Sequence, residues 1–186
     1  MPSVIADDEL DGAVAAMQSG DGSAFRVVYR TVQPVLLRYL TVLVGPSDAE
    51  DVASEAWAQA FRDLDRFSGD ADGFRGWVTT IARHRALDHL RHTRRRPVDD
   101  DPVDTLTDLA SSIDVEADTV GRVGSEQAIR LIASLPRDQA EAIMLRTVLG
   151  FDAPTAARIL GKRPGAVRAA SHRGLKQLAK KISPYP

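Results

Sequence analysis

Apolar residues recur along the chain at steps of three and four, the period of one face of an α-helix. Over residues 22–44 Phe25, Val28, Tyr29, Val32, Leu36, Leu37, Leu40 and Leu43 keep that rhythm, which predicts one long helix or a broken pair. Gly45-Pro46 interrupts it, and Ser47 or Asp48 stands where it can cap a following helix over roughly 48–66. On that helix Ala53, Trp57, Phe61 and Leu64 share a face expected in a core, while Asp51, Glu55, Gln59 and Arg62 share the opposite, polar face. RFSGDADGFRGW, residues 66–77, is rich in Gly and Asp and reads as a loop. A further helix is expected from near Phe74, burying Trp77, Val78 and Ile81 and running through RHRALDHLRHTRRR to Pro97. No stretch alternates with the period of a strand.

Residues 98–123 hold few large apolar side chains and many acids, a composition that cannot bury enough surface to order itself, and so read as a flexible linker. From Ser125 the helical pattern resumes with Ala128, Ile129, Leu131, Ile132 and Leu135 before Pro136. Ala140, Ile143, Met144, Val148 and Leu149 follow before Gly150, then two short helices separated by ILGKRPG. The expected fold class is all-α: two small helical domains joined by an acidic tether.

Composition adds limits. A hydrophobic content of 44% suits a folded globular protein, and 5% aromatic residues leave Leu, Val, Ile and Ala to fill the cores. The absence of cysteine excludes disulfides, cysteine zinc sites and thiol nucleophiles. No apolar run approaches the ~20 residues needed to span a bilayer. The start, MPSVIADDELDGAVAAM, is acidic where a signal peptide is basic, so the expectation is a soluble cytoplasmic protein without membrane insertion. Nothing in the chain calls for a cofactor.

The net charge of −2 conceals a strong segregation. Residues 83–96 carry six arginines, three histidines and the single acid Asp88. Residues 99–118 carry eight acids and no base, and from Pro154 to the end there are eight Lys or Arg and no acid. Two basic zones flank an acidic one, a distribution that points to phosphate-bearing partners.

FDAPTAARILGKRPGAVRAASHRGLKQLAKK has the layout of a helix-turn-helix. Asp152 can cap its first helix, with Pro154 in the first turn, where a missing N–H costs little. Ala156, Ala157, Ile159 and Leu160 are expected inside, Gly161 supplies the turn, and Pro164-Gly165 starts the second helix. Val167, Leu175 and Leu178 are expected on its buried side, leaving Arg163, Arg168, Ser171, His172 and Lys176 outward. Short donors near the start of such a helix and cations around it suit reading of a DNA major groove.

With both halves in view the chain resembles the sigma-70 family of RNA polymerase sigma factors, in its extracytoplasmic-function (ECF) class, over about residues 18–97 and 124–181. DAEDVASEAW (48–57) is similar to the family's D-x-E-D-hydrophobic-x-x-E-x-aromatic stretch. FRGWVTTIARHRALDHLRHTRRR resembles its F-x-x-W…I-A-R-N-x-x-x-D-x-x-R-basic run, and LIASLPRDQAEAIMLRTVLGFDAPTAARILGKRPGAVRAASHRGLKQL resembles its second-domain pattern. The resemblance implies a bacterial transcription initiation factor. It would bind RNA polymerase core, direct it to promoter DNA through −10 and −35 elements, and aid melting. It further implies domains at 18–97 and 124–186, a 98–123 linker threaded through the polymerase's basic channel, and an anti-sigma factor as regulatory partner. An ordinary solvated tether is the plainer account of the linker.

Roles follow residue by residue. The family's polymerase-docking helix maps onto Asp48, Asp51, Glu55, Gln59 and Arg62. The −10 element would be opened and held by Arg66, Ser68, Asp70, Phe74 and Arg75, with a base captured outside the stack. Arg83, His84, Asp88, Arg91, Arg94 and Arg95 would follow along the strand and upstream duplex. The −35 element would meet Arg163, Arg168, Ser171, His172 and Arg173, with Lys176 and Lys180 on phosphates. Here the chain departs from the pattern, because Ala169-Ala170 stand where members often carry a hydroxyl and a further arginine, and Ala153 and Thr155 where Tyr and Glu are common.

Two other functions compete with this one. A stand-alone helix-turn-helix regulator would bind its operator as a two-fold dimer and has no use for the acidic 48–59 face. A nucleic-acid-processing enzyme could use His84, Asp88 and His92, which step by four along one face, as a metal centre, though the arginines around them oppose a cation. No catalytic constellation stands out, so the chain is expected not to be an enzyme.

Overall fold

Asp21 opens the longest apolar helix by accepting from the Ser23 backbone N–H at 2.8 Å, an N-cap that satisfies one of the donors a helix start leaves free. The computed structural model describes residues 7–95 and 119–182; the expected channel linker at Asp99, Asp100, Asp101 and Asp104 lies outside them. Among the described residues the helices are α1 (Asp7–Gln18), α2 (Gly22–Val44), α3 (Pro46–Arg62), α4 (Ala71–Arg95), α5 (Thr119–Ala133), α6 (Arg137–Ile143), α7 (Ala153–Leu160) and α8 (Pro164–Ile182). They include no strand.

α1 was not anticipated. Leu10, Val14 and Met17, spaced four and three apart, are buried on α2 and α4 and bring α1 into the first core. α2 is a single helix despite Pro34 in its interior. Its Val28, Val32, Leu36 and Leu40 join the first core, along with Ala49, Val52, Ala53, Ala56 and Trp57 of α3 and Phe74, Val78, Ile81 and Ala82 of α4.

By length and composition α2 is apolar enough to cross a membrane, contrary to the sequence expectation. A helix apolar on more than one face is one that packs on more than one side. Here Val35, Tyr39, Val42 and Leu43 join a second core built by α5 to α8, while Arg26, Arg30 and Arg38 interrupt the apolar surface.

Three local expectations change. Neither Ser47 nor Asp48 caps α3: Gly45, at φ +89°, takes the cap position, Pro46 follows, and Asp48 turns to His89 Nε2 at 2.9 Å. α4 begins at Ala71, before Phe74, behind Asp70, whose carboxylate accepts from the Gly73 N–H at 2.8 Å. α5 begins at Thr119, inside the segment expected to be linker. After α6 a π-helical turn, Met144–Val148, closes with Leu149 N–H on Met144 O at 2.8 Å.

Candidate nucleic-acid interface

The second domain presents its cations through α7 and α8. Asp152 accepts from the Thr155 N–H at 2.7 Å, and the Thr155 hydroxyl and amide hold its carboxyl below the ordinary carboxylate range. Gly161, at φ +64°, makes the turn in a left-handed conformation that a side chain would disfavour, and Lys162 N–H returns to Ala157 O at 2.9 Å. Ala156, Ala157, Ile159 and Leu160 are buried as expected.

On α8 the buried stripe is Val167, Ala170, Ser171 and Gly174, with Leu178 half-buried. This corrects two readings: Ser171 is 7% exposed and faces the core, whereas Leu175 is 45% exposed. The reason is close approach. A Cβ on Gly174 would lie 2.6 Å from Ile143 Cδ1 and 3.1 Å from Gln139 Cβ, so α8 meets α6 along its smallest residues. Arg163, Arg168, His172, Arg173, Lys176 and Lys180 all remain exposed. Arg168, His172, Lys176 and Lys180 step by four and form one exposed ridge of three cations and a histidine. Arg158 of α7 is an exposed cation beside it that no motif had singled out; the acid-free run from Pro154 was the available signal.

In the first domain Asp51, Glu55 and Arg62 stand exposed on the outer face of α3. Asp48 and Gln59 are instead used to strap α3 to α4. His89 meets the first, and Arg85 donates to Gln59 Oε1 from Nε at 2.8 Å and Nη2 at 2.6 Å. Phe61, expected in the core, is 65% exposed with its ring 6.0 Å from Phe25. The α3 stripe closes on α2 and α4 through small residues, Ala49, Ala53, Ala56 and Ala60, and Phe61 falls at its edge.

The expected −10 set divides. Arg66, Ser68, Asp70, His84, Asp88, Arg91, Arg94 and Arg95 are exposed, Asp70 as the cap of α4 and Asp88 paired with Arg91 at 2.9 Å. Phe74 is not available to a base. It is 1% exposed, edge-on to Phe67 at 5.3 Å and beside Trp77 at 5.7 Å, because the earlier start of α4 turns it inward with Ala71 and Val78. Among the described residues no group of three or more His, Asp or Glu is disposed to hold a metal.

Arg75 and Arg83 point to the second domain. Arg75 donates from Nη2 to Leu149 O at 2.6 Å and from Nη1 to Asp72 at 2.9 Å, with its guanidinium 5.5 Å from the Phe151 ring centre. Arg83 Nε donates to Glu141 Oε1 at 2.7 Å, and the Tyr39 hydroxyl lies 3.2 Å from the same oxygen. Arg137 Nε stands 3.8 Å from Glu141 Oε2. Glu141, only 2% exposed, belongs to none of the site sets that the sequence pattern implied.

A helix-turn-helix with a cationic ridge, paired with a second helical domain bearing a basic helix and an acidic face, defines a two-module DNA-binding protein. Family models for sigma-70 region 2 and sigma-70 region 4 match residues 28–96 and 125–178. The ECF RNA polymerase sigma factor SigD of Mycobacterium tuberculosis is 33% identical, over 94% of this chain and 84% of that protein. The ECF RNA polymerase sigma factor ShbA of Streptomyces griseus is 31% identical, over 92% and 96% of the two chains. In fold the chain is similar to the sigma factor RpoE from Bartonella quintana, solved in complex with the anti-sigma factor NepR, with a TM-score of 0.66 and 22% identity over 85% of this chain and 96% of that one.

The chain belongs to the sigma-70 family, as an ECF sigma factor. Its function is that of a transcription initiation factor, which binds RNA polymerase core and directs it to promoters by recognising −10 and −35 elements, rather than that of a stand-alone regulator.

Proposed function

We propose that the division of labour follows the two modules. The outer face of α3, with Asp51, Glu55 and Arg62, docks on core polymerase, supported at its ends by Asp48 and Gln59. Arg66, Ser68, Arg75, Arg83, His84, Arg91, Arg94 and Arg95 hold the −10 region, with Asp70 shaping the loop and Asp88 orienting Arg91. The α8 ridge reads the −35 element through Arg163, Arg168, His172 and Arg173, and Lys176 and Lys180 sit on phosphates. Ser171 and Phe74 act by packing.

The observation carrying this reading is the continuous exposed ridge Arg168, His172, Lys176 and Lys180 on the second helix of the helix-turn-helix, in a stretch without one acid. With Ala169 and Ala170 on α8, the hydroxyl and arginine common in relatives are missing, which weakens or changes the base preference there. The chain itself supplies no catalysis; synthesis belongs to the polymerase. Its place of action is the cytoplasm. An anti-sigma factor covering the polymerase-binding surfaces is its regulatory partner, in keeping with the anti-sigma complex of the structural relative.

The test is reconstitution of transcription from core polymerase, this protein and a bacterial genomic template, followed by mapping of start sites. New start sites that vanish in Asp51→Lys/Glu55→Lys support the docking face. An Arg168→Ala variant should keep core binding and lose discrimination at the −35 position. Unchanged starts on adding the wild-type protein would refute the reading.

A further inference from the structure

We infer that α1 is a two-point clamp on the exposed loop before α4, with Gln18 and Asp11 as positioning residues that set this loop for a promoter strand. The inference rests on the assignment of the loop to the −10 region. α1 itself precedes residues 28–96, the stretch matched as sigma-70 region 2.

Two hydrogen bonds make the clamp. Gln18 Nε2 donates to Phe67 O at 2.6 Å, and the Ala71 N–H donates to Asp11 Oδ1 at 2.5 Å. Asp11, Val14 and Gln18 are spaced three and four apart, so they follow one line along α1. At a rise of about 1.5 Å per residue, Asp11 and Gln18 are about 10 Å apart along the axis. The loop is gripped at both ends, and the exposed residues Ser68, Gly69 and Asp70 lie between the grips.

Core packing does not call for these bonds. Leu10, Val14 and Met17 already bury the apolar face of α1. Asp11 and Gln18 are exposed residues whose polar ends reach backbone atoms 60 and 49 residues away. The loop is also supported from below by Phe67, whose ring centre is 5.3 Å from that of Phe74 and 5.2 Å from that of Trp77. At Gly69, φ +151°, a Cβ would stand 3.1 Å from Phe67 Cζ, so the chain crosses this ring where only glycine fits. Asp70 accepts from the Gly73 N–H, and with Asp11 on Ala71 two of the donors left free at the start of α4 are satisfied.

A loop held this way has given up its backbone freedom during folding, so a strand that binds it need not order it. Releasing either end returns that freedom. Capture of the strand should then fall by about tenfold, the scale of one hydrogen bond. Core polymerase, docking on the outer face of α3, should not sense the change.

The two contacts make opposite chemical demands. Gln18→Glu keeps the shape but has no donor for Phe67 O, whereas Asp11→Asn keeps an acceptor for the Ala71 N–H. Gln18→Glu and Asp11→Ala should therefore release the loop, and Asp11→Asn should behave as wild type. All are made in the full-length protein. Amide hydrogen exchange over residues 66–73, followed by mass spectrometry, reads the loop. Core affinity is read by competition with labelled wild-type protein. Promoter opening is read by permanganate reactivity of unpaired thymines at a start site mapped with the wild type.

The two releasing variants should exchange faster in this segment and open the promoter about tenfold less well at unchanged core affinity. Unchanged exchange in both would overturn the clamp, and an Asp11→Asn variant as impaired as Asp11→Ala would overturn the hydrogen-bond account of it. Equal losses of core affinity and opening would leave α1 a packing element only. Faster exchange with normal opening would overturn the promoter role, and Arg66→Ala/Ser68→Ala then locates the failure. Lost opening in that variant refutes only the need for a preset loop, whereas normal opening refutes the −10 assignment itself.

Discussion

Replacing Gly174 by alanine tests whether the α6–α8 contact is as tight as its geometry implies. In an exposed helix interior this change stabilises by about 1 kcal/mol, because glycine gives up more backbone freedom on folding. At Gly174 the new Cβ would stand 2.6 Å from Ile143 Cδ1, 3.1 Å from Gln139 Cβ and 3.4 Å from Gln139 O. Ile143 is itself fully buried, so its methyl cannot swing aside without displacing another core group. Overpacking of this kind costs about 1–3 kcal/mol. Set against the propensity gain, the net is a loss of roughly 0–2 kcal/mol.

Gly165 provides the control. It lies in the first turn of the same helix with nothing within 4 Å of its virtual Cβ, so Gly165→Ala should gain up to about 1 kcal/mol. The two variants should thus differ by about 1–3 kcal/mol, in the order Gly165→Ala above Gly174→Ala. The assay is urea unfolding followed by far-ultraviolet circular dichroism. With a slope of about 2 kcal/mol per molar urea, a 2 kcal/mol difference separates the midpoints by about 1 M. Equal midpoints, or a Gly174→Ala variant more stable than Gly165→Ala, would refute the close-packing argument and the account of why Ser171 rather than Leu175 faces inward.

Burial, reinforced by the Glu141 carboxylate, pushes the Tyr39 hydroxyl well above its ordinary value. A raised folded pKa means its stabilising share is whole below about pH 10 and is lost as pH rises through the folded value. Phenolate absorbance at 295 nm should then show Tyr39 ionising above that range, a late component that Tyr39→Phe should lack. For the oppositely shifted Asp152, stabilisation is present above about pH 4 and lost as pH falls through its depressed folded value, so wild type and Asp152→Ala should converge in acid unfolding curves. Lys176→Ala should weaken promoter binding equally across sequences and reduce the salt slope by about 1, as a lost phosphate contact does. A sequence-dependent effect in gel-shift titrations would contradict that role. Replacing Asp99, Asp100, Asp101 and Asp104 with Asn should change the abortive RNA pattern; an unchanged pattern counts against a channel role for the linker.

Periodicity alone determined a good deal here. The all-α class, the break at Gly45-Pro46, the Asp152 cap, the Gly161 turn and the exposed cations of α8 were all legible, because each depends on residues close in sequence. α1 was not anticipated, although the spacing of Leu10, Val14 and Met17 places them on one face of a helix.

What only the tertiary structure decided is which face of each helix meets which neighbour. An apolar residue near the edge of a stripe can fall on either side of it. A shift of a few residues in a helix start, as at Ala71, was enough to take Phe74 into the core. Phe61 and Leu175 went the other way, because small residues set the line of closest approach. The longest-range case is Glu141, whose partners Tyr39 and Arg83 lie 102 and 58 residues away. No local pattern encodes a carboxylate's partner at that separation; it exists only once α2, α4 and α6 have been brought together.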